Sequence, residues 1–288
     1  MTPQDKHHDH CHGERSNSAC SACSQDKDTI MACRLAGIKN KILVLSGKGG
    51  VGKSTVAVNL ATALSIVGRK TGILDVDIHG PNVPKLLNLD KAKLEARDET
   101  LIPARFGDLK VMSLGFLVAR QEDAIIWRGP LKMNVIQQFI KDVDWGELDW
   151  LVVDCPPGTG DEPLSIAQIF KSDVSAVIVT TPQDLAQMDS RKAVTFCRQL
   201  KIPVLGLIEN MSGFTCPHCS KVVDIFKTGG GRRMAEEMDV PFLGSIPLDH
   251  RLVETGDAGA PFVSAFPDSP AAKAFLQAIK PIIESDGQ

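Results

Sequence analysis

Nine consecutive residues, Gly47-Lys48-Gly49-Gly50-Val51-Gly52-Lys53-Ser54-Thr55, restrict this chain more than any other feature of its sequence. They follow a short apolar run, Lys41–Ser46, and precede Ser54–Val67, whose alanines, leucines and valines suit a packed helix. The order predicts a strand, a glycine turn and a helix start, the context in which such a run is a phosphate loop. Glycines let successive backbone N–H groups point inward at phosphate oxygens, and the helix N-terminus adds positive potential. Lys53 is then placed to reach the β and γ phosphates and Ser54 to ligate Mg²⁺, with Thr55 completing the pattern. A bare glycine turn is the competing reading, and it does not require the whole motif.

The rest of the chain continues the alternation. Thr71–Asp75, Leu109–Leu114, Trp150–Asp154, Val174–Thr180, Val204–Glu209 and Phe242–Ile246 read as strands. Leu131–Val143, Glu162–Phe170, Leu185–Leu200, Arg232–Met238 and Ala271–Ile283 read as helices, and Gly68 as a helix terminator. Strands alternating with helices predict an α/β fold, a doubly wound and mostly parallel sheet covered on both faces. With no Pro/Gly/Ser linker to split it, residues 37–288 are expected to be one domain, preceded by a polar arm over 1–36.

Charge and hydropathy narrow the function classes. The net charge is −3, and no block of five or six like charges occurs. That argues against generic nucleic-acid binding and against an electrostatic membrane anchor. No apolar run approaches the roughly 18–20 residues of a membrane span. The first residues lack an apolar signal core, so the expected location is the cytoplasm.

Two strand ends carry carboxylates. Asp75-Val76-Asp77 closes one predicted strand, and ligands gather at carboxyl ends of strands in doubly wound sheets. Asp77 is expected to position the attacking water and help hold the Mg²⁺ shell, whereas Asp75 is as suited to a structural role. Leu151-Val152-Val153-Asp154 is an apolar strand ending in an acid, which assigns Asp154 to Mg²⁺ through water.

Lys48 is a second lysine inside the loop, and in this the chain resembles the deviant Walker A proteins of the MinD, ParA and nitrogenase-iron-protein class. The resemblance implies that Lys48 crosses a two-fold interface to the neighbour's phosphates, and so implies a homodimer; a merely solvated lysine is the alternative. Four further motifs narrow the likeness: Asp77-Ile78-His79-Gly80-Pro81, Asp154-Cys155-Pro156-Pro157-Gly158-Thr159-Gly160-Asp161, Glu209-Asn210-Met211-Ser212 and Cys216-Pro217-His218-Cys219. From about Lys39 to Val263 the chain resembles the Mrp/ApbC family of iron–sulfur carrier ATPases. That likeness implies a dimeric ATPase that transfers a 4Fe–4S cluster to apoproteins. It also implies an adenine contact for Asn210, with Pro247-Leu248-Asp249 beside the base.

Four of the eight cysteines, Cys11, Cys20, Cys23 and Cys33, fall in the first eighth of the chain, beside His7, His8, His10 and His12. In a reducing compartment clustered cysteines read as metal ligands or redox thiols. Cys216 and Cys219 supply two thiolates where a tetrahedral zinc or a 4Fe–4S cluster needs four. A two-fold dimer would bring a second pair onto its axis, which converges with the dimer that Lys48 implies. A redox dithiol and a structural zinc remain open for this pair, and Cys155 and Cys197 read as packed side chains. Some relatives hold a second cluster on four N-terminal cysteines; here only the central Cys20-x-x-Cys23 spacing agrees, so a second cluster, a zinc site using His10 or His12, and a plain tail all stand. Two rival functions also stand: a MinD- or ParA-like positioning ATPase with zinc at Cys216 and Cys219, and an electron donor like the nitrogenase iron protein. The first lacks a basic or lipid-binding tail, since the last helix ends Glu284-Ser285-Asp286, and the second uses widely separated cysteines.

Overall fold

The computed structural model describes residues 34–77, 80–97, 100–117, 136–137, 139, 141–170, 174–216, 219 and 221–285. Cys11, Cys20, Cys23 and Cys33, and most of the helix expected over 131–143, lie outside the described residues. The strands are β1 (Ile38–Ser46), β2 (Thr71–Asp75), β3 (Glu95–Arg97), β4 (Thr100–Ile102), β5 (Ala104–Phe106), β6 (Leu109–Ser113), β7 (Leu148–Asp154), β8 (Ser175–Thr180), β9 (Val204–Glu209), β10 (Phe214–Thr215), β11 (Val222–Val223) and β12 (Phe242–Ser245). The helices are α1 (Lys53–Ile66), α2 (Val83–Leu86), α3 (Asp161–Phe170), α4 (Asp184–Gln199), α5 (Gly230–Glu237), α6 (Arg251–Ala258), α7 (Phe262–Ala265) and α8 (Pro270–Glu284).

Eight strands form the main sheet in the order β12-β9-β8-β1-β7-β2-β6-β5, parallel throughout except for the edge pair β5–β6. Central strands of such a sheet are buried on both faces, which explains why β1 is an almost unbroken apolar run. Its side chains alternate between two cores. Ile42 and Val44 pack with α1, α7 and α8 on one face, while Leu43 and Leu45 pack with Ile166, Phe170 and Phe196 of α3 and α4 on the other. Gly68, at φ +84°, ends the turn after α1, where a side chain would be strained.

The β5–β6 edge hairpin is a feature that hydropathy alone does not reveal, because three residues are too few to show a period. Its Gly107-Asp108 turn, with Gly107 at φ +58°, is the local signal that marks it. At the start of the described chain Arg34 already belongs to the domain. It donates to the Lys141 carbonyl and, at 2.9 Å, to Thr100 Oγ1.

Candidate functional site

Strand register assembles the site. Val44 and Asp75 both pair with Asp154, so the ends of β1, β2 and β7 finish side by side. The loop Gly47–Gly52 leaves β1 at that edge and α1 begins at Lys53. Gly50 and Gly52 sit at φ +79° and +81°. A Cβ on Gly52 would fall 2.2 Å from Asn210 Nδ2, and one on Gly47 would fall 2.1 Å from the Asp189 backbone carbon in α4. Gly47 has an ordinary φ, so its requirement is steric. Gly47→Ala is expected to cost about 1–3 kcal/mol through overpacking against backbone that cannot yield. Thermal unfolding checks this, with a fall of roughly 2–4 °C per kcal/mol for a domain of this size.

Lys53 and Asp154 form a buried ion pair beneath the loop. Burial works against the Lys53 ammonium, but the Asp154 carboxylate beside it prevails and holds the lysine above its ordinary pKa. Asp154 Oδ2 is buried and, among the described residues, has no hydrogen-bond partner. A buried carboxylate oxygen without a partner calls for a donor or a hydrated cation, so Asp154 fits the shell of a Mg²⁺ ion whose direct ligand would be Ser54. Such an ion would supply charge neutralisation at the phosphates.

Asp75, fully buried, accepts hydrogen bonds from Asp77 N at 3.1 Å, Val83 N at 3.2 Å and Ser113 Oγ at 2.9 Å. Burial, with Asp154 nearby, pushes its carboxyl well above the usual range. Its role is to fix the loop that presents Asp77. Asp77 faces the cleft and accepts from Gly80 N at 3.3 Å.

The loop opens into a cleft of about 700 Å³ whose lining includes Lys48, Lys53, Ser54, Thr55, Asp77 and Asn210, within the usual range for small-ligand sites. Asn210 donates through Nδ2 to the Val51 carbonyl at 2.9 Å, so its side chain braces the loop. Leu248 and Asp249 form another part of the wall, and Arg251 holds the Asp249 carboxyl low by hydrogen bonds of 2.9 and 2.6 Å.

Cys216 and Cys219 lie where β10 turns into β11, a small antiparallel hairpin off the main sheet. Cys216 is half-buried and Cys219 exposed, and neither is in a disulfide. Among the described residues no group of three or more His, Cys, Asp or Glu side chains could hold a metal ion within one chain. Cys155 and Cys197 are buried thiols pushed up by burial, Cys197 to about 12, and so are poor nucleophiles.

The segment that follows the hairpin shares a surface with the phosphate loop. Lys48, Leu185, Ile225 and Phe226 line one shallow depression. Of these, Leu185 is 70% exposed and Ile225 51%, and the Asp184–Lys227 ion pair adds to the lining. This adjacency of residues 48 and 225 is not readable from spacing, and neither is the full burial of Glu209, the acid that closes β9. An apolar strand, Val204–Ile208, ending in an acid was the available signal for that residue.

Fold, loop and strand-end acids define a P-loop NTPase. The ParA-type family described as NUBPL iron-transfer P-loop NTPase matches residues 37–283, and the chain belongs to this family. A curated relative, the iron–sulfur cluster carrier protein of Methanocaldococcus jannaschii, is 48% identical over 259 residues, covering 90% of this chain and 89% of that protein. Among solved structures, a nucleotide-binding protein from Archaeoglobus fulgidus, in complex with ADP and with cobalt found in it, is 40% identical with a TM-score of 0.73. That match covers 86% of this chain and 96% of the other. The cell division ATPase MinD of Pyrococcus furiosus shares the fold, at 24% identity and a TM-score of 0.64, over 86% and 99% of the two chains. No helix among the described residues is long and apolar enough to cross a membrane.

Proposed function

We propose that this protein is an ATP-hydrolysing iron–sulfur carrier. Two copies close on ATP, hold a 4Fe–4S cluster between their cysteine pairs, and hand it to apoproteins. One observation carries the reading: Lys48 shares a depression with Ile225 and Phe226, which follow directly on the cysteine hairpin, and Leu185 and Ile225 in it are exposed. Apolar side chains left this open mark a surface meant for a partner. A second copy of the chain, related by a two-fold axis, would cover it and present Lys48 toward the opposite phosphates. The same operation would set two Cys216–Cys219 pairs against each other, giving the four thiolates a cluster needs.

In this reading Lys53 binds the phosphates, Asp77 orients the attacking water, and Ser54 with Asp154 holds Mg²⁺. Asn210 and the Leu248–Asp249 wall bracket the base. The cluster is cargo, and for the arm with Cys11, Cys20, Cys23 and Cys33 a second cluster, a zinc site and a plain tail all stand. The setting this reading assigns is the reducing cytoplasm, where clustered thiols serve as metal ligands. Neither nucleic acid nor membrane enters the scheme.

ATP acts by shifting the dimer between two arrangements that expose the cluster differently. Transfer to an apoprotein, followed by recovery of client activity under anaerobic conditions, is expected to change at least about fivefold with MgATP, the lower end of ordinary coupling energies. Equal rates with and without nucleotide would remove ATP from the transfer step.

A further inference from the structure

Glu209 closes β9 as a fully buried carboxylate. Its oxygens receive four donors from three separate segments. Oε1 accepts from Ser212 Oγ at 2.6 Å, Gly229 N at 3.0 Å and Ser245 Oγ at 3.2 Å, and Oε2 accepts from Gly231 N. Ser212 stands at the root where the chain leaves the sheet toward Cys216. Gly229 and Gly231 stand at the root where it returns, at the start of α5. That helix has no cap from its own N-cap residue, Gly229, so Glu209 supplies one and places its negative charge at the positive helix end. A Cβ on Gly231 would lie 3.0 Å from both Cβ and Oε2 of Glu209, so the glycine is what lets the carboxylate approach.

The adjoining residue faces the other way. Asn210 bonds the Val51 carbonyl of the phosphate loop, and its backbone N–H is held by the Thr180 carbonyl at 2.8 Å. The exit limb is stitched to the cleft wall by Ser212 N to the Ile246 carbonyl at 2.9 Å, and by Leu248 N to the Gly213 carbonyl at 2.8 Å. Two consecutive side chains on one rigid strand end therefore grip the nucleotide loop and both roots of the cysteine-bearing segment.

We infer that Glu209 is a positioning residue that ties the 212–231 segment to the nucleotide loop, so that occupancy of the cleft is felt at Cys216 and Cys219. Only a carboxylate serves all four donors. An amide at the same place turns an NH₂ toward Gly229 N–H or Gly231 N–H, which cannot accept, and so releases one root. The functional consequence rests on the reading that Cys216 and Cys219 hold metal, but the mechanical link does not.

The test is amide hydrogen exchange over residues 212–231 of the full-length chain, with and without saturating ADP. In the wild-type protein ADP is expected to change exchange in this segment at least about fivefold, a coupling of ordinary size. In Glu209→Gln the change falls below about twofold while ADP affinity stays within about threefold of wild type. An equal response to ADP in both proteins, or no response in the wild type, overturns the inference. Ser212→Ala, which removes one donor at one root, guards against a folding failure of the first variant. It is expected to give an intermediate response, and a full wild-type response from it counts against the link. Binding of Co²⁺, followed by its thiolate charge-transfer band, separates the two ideas. If Cys216→Ala/Cys219→Ala loses none of the band's intensity relative to wild type, the metal assignment to this pair fails and the exchange result stands.

Discussion

Mixing two inactive variants is expected to restore ATP hydrolysis. Lys48→Ala should lower turnover by about 10³–10⁵-fold, the range for a cationic finger that neutralises transition-state charge. Nucleotide affinity should barely change, because Lys53 and the loop amides stay in place. Stability should stay within about 0.5 kcal/mol, since Lys48 is only half-buried and holds no core contact. Asp77→Asn should be inactive for a different reason, the loss of the group that orients water. In a mixed dimer the Lys48→Ala protomer retains its own Asp77 and receives an intact lysine from its neighbour. At equal proportions half the dimers are mixed and each has one working site, so about a quarter of wild-type turnover returns. Steady-state phosphate release on the mixture measures it. No recovery would mean that Lys48 works within its own chain or does not take part.

The second large effect concerns metal. Anaerobic reconstitution of wild type should give about four iron and four sulfide per dimer at the hairpin, and Cys216→Ala/Cys219→Ala should lose all of it. Both side chains are solvent-accessible and the hairpin lies off the main sheet, so ATP binding and the unfolding midpoint should be unaffected. Iron that remains in the double variant then belongs to Cys11, Cys20, Cys23 and Cys33. Zinc at this site with no sulfide after reconstitution would instead describe a zinc-stapled dimeric ATPase.

What could be read from the sequence follows from the kind of order each part has. Buried parallel strands such as Ile42–Leu45 and Leu151–Val153 declare themselves by continuous apolar character, and the phosphate loop by backbone demands that only glycine meets. Asp75 and Asp77 show where this stops. Two acids one residue apart look alike in sequence, yet one is buried under three hydrogen bonds and the other faces the cleft. The neighbourhood of Lys48 and Ile225 arises only when the start of α4 packs beside both. Glu209 was visible as part of a motif, but nothing local says that its partners lie at positions 212, 229, 231 and 245.

The strand order has a consequence for how the chain is made. β1 and β2 never touch; the strand between them is β7, and Ile38 first meets its partner Leu148 about 110 residues later. Emerging from a ribosome at about 5–20 residues per second, β1 waits roughly 5–20 seconds for that partner, with both of its edges unpaired and the face that packs on α3 and α4 uncovered. Such non-local pairing makes folding slow and the nascent chain prone to association. Expression of this protein should therefore respond to translation speed and to chaperones that shield unpaired strands, and a chain truncated before residue 148 should aggregate instead of forming half a domain.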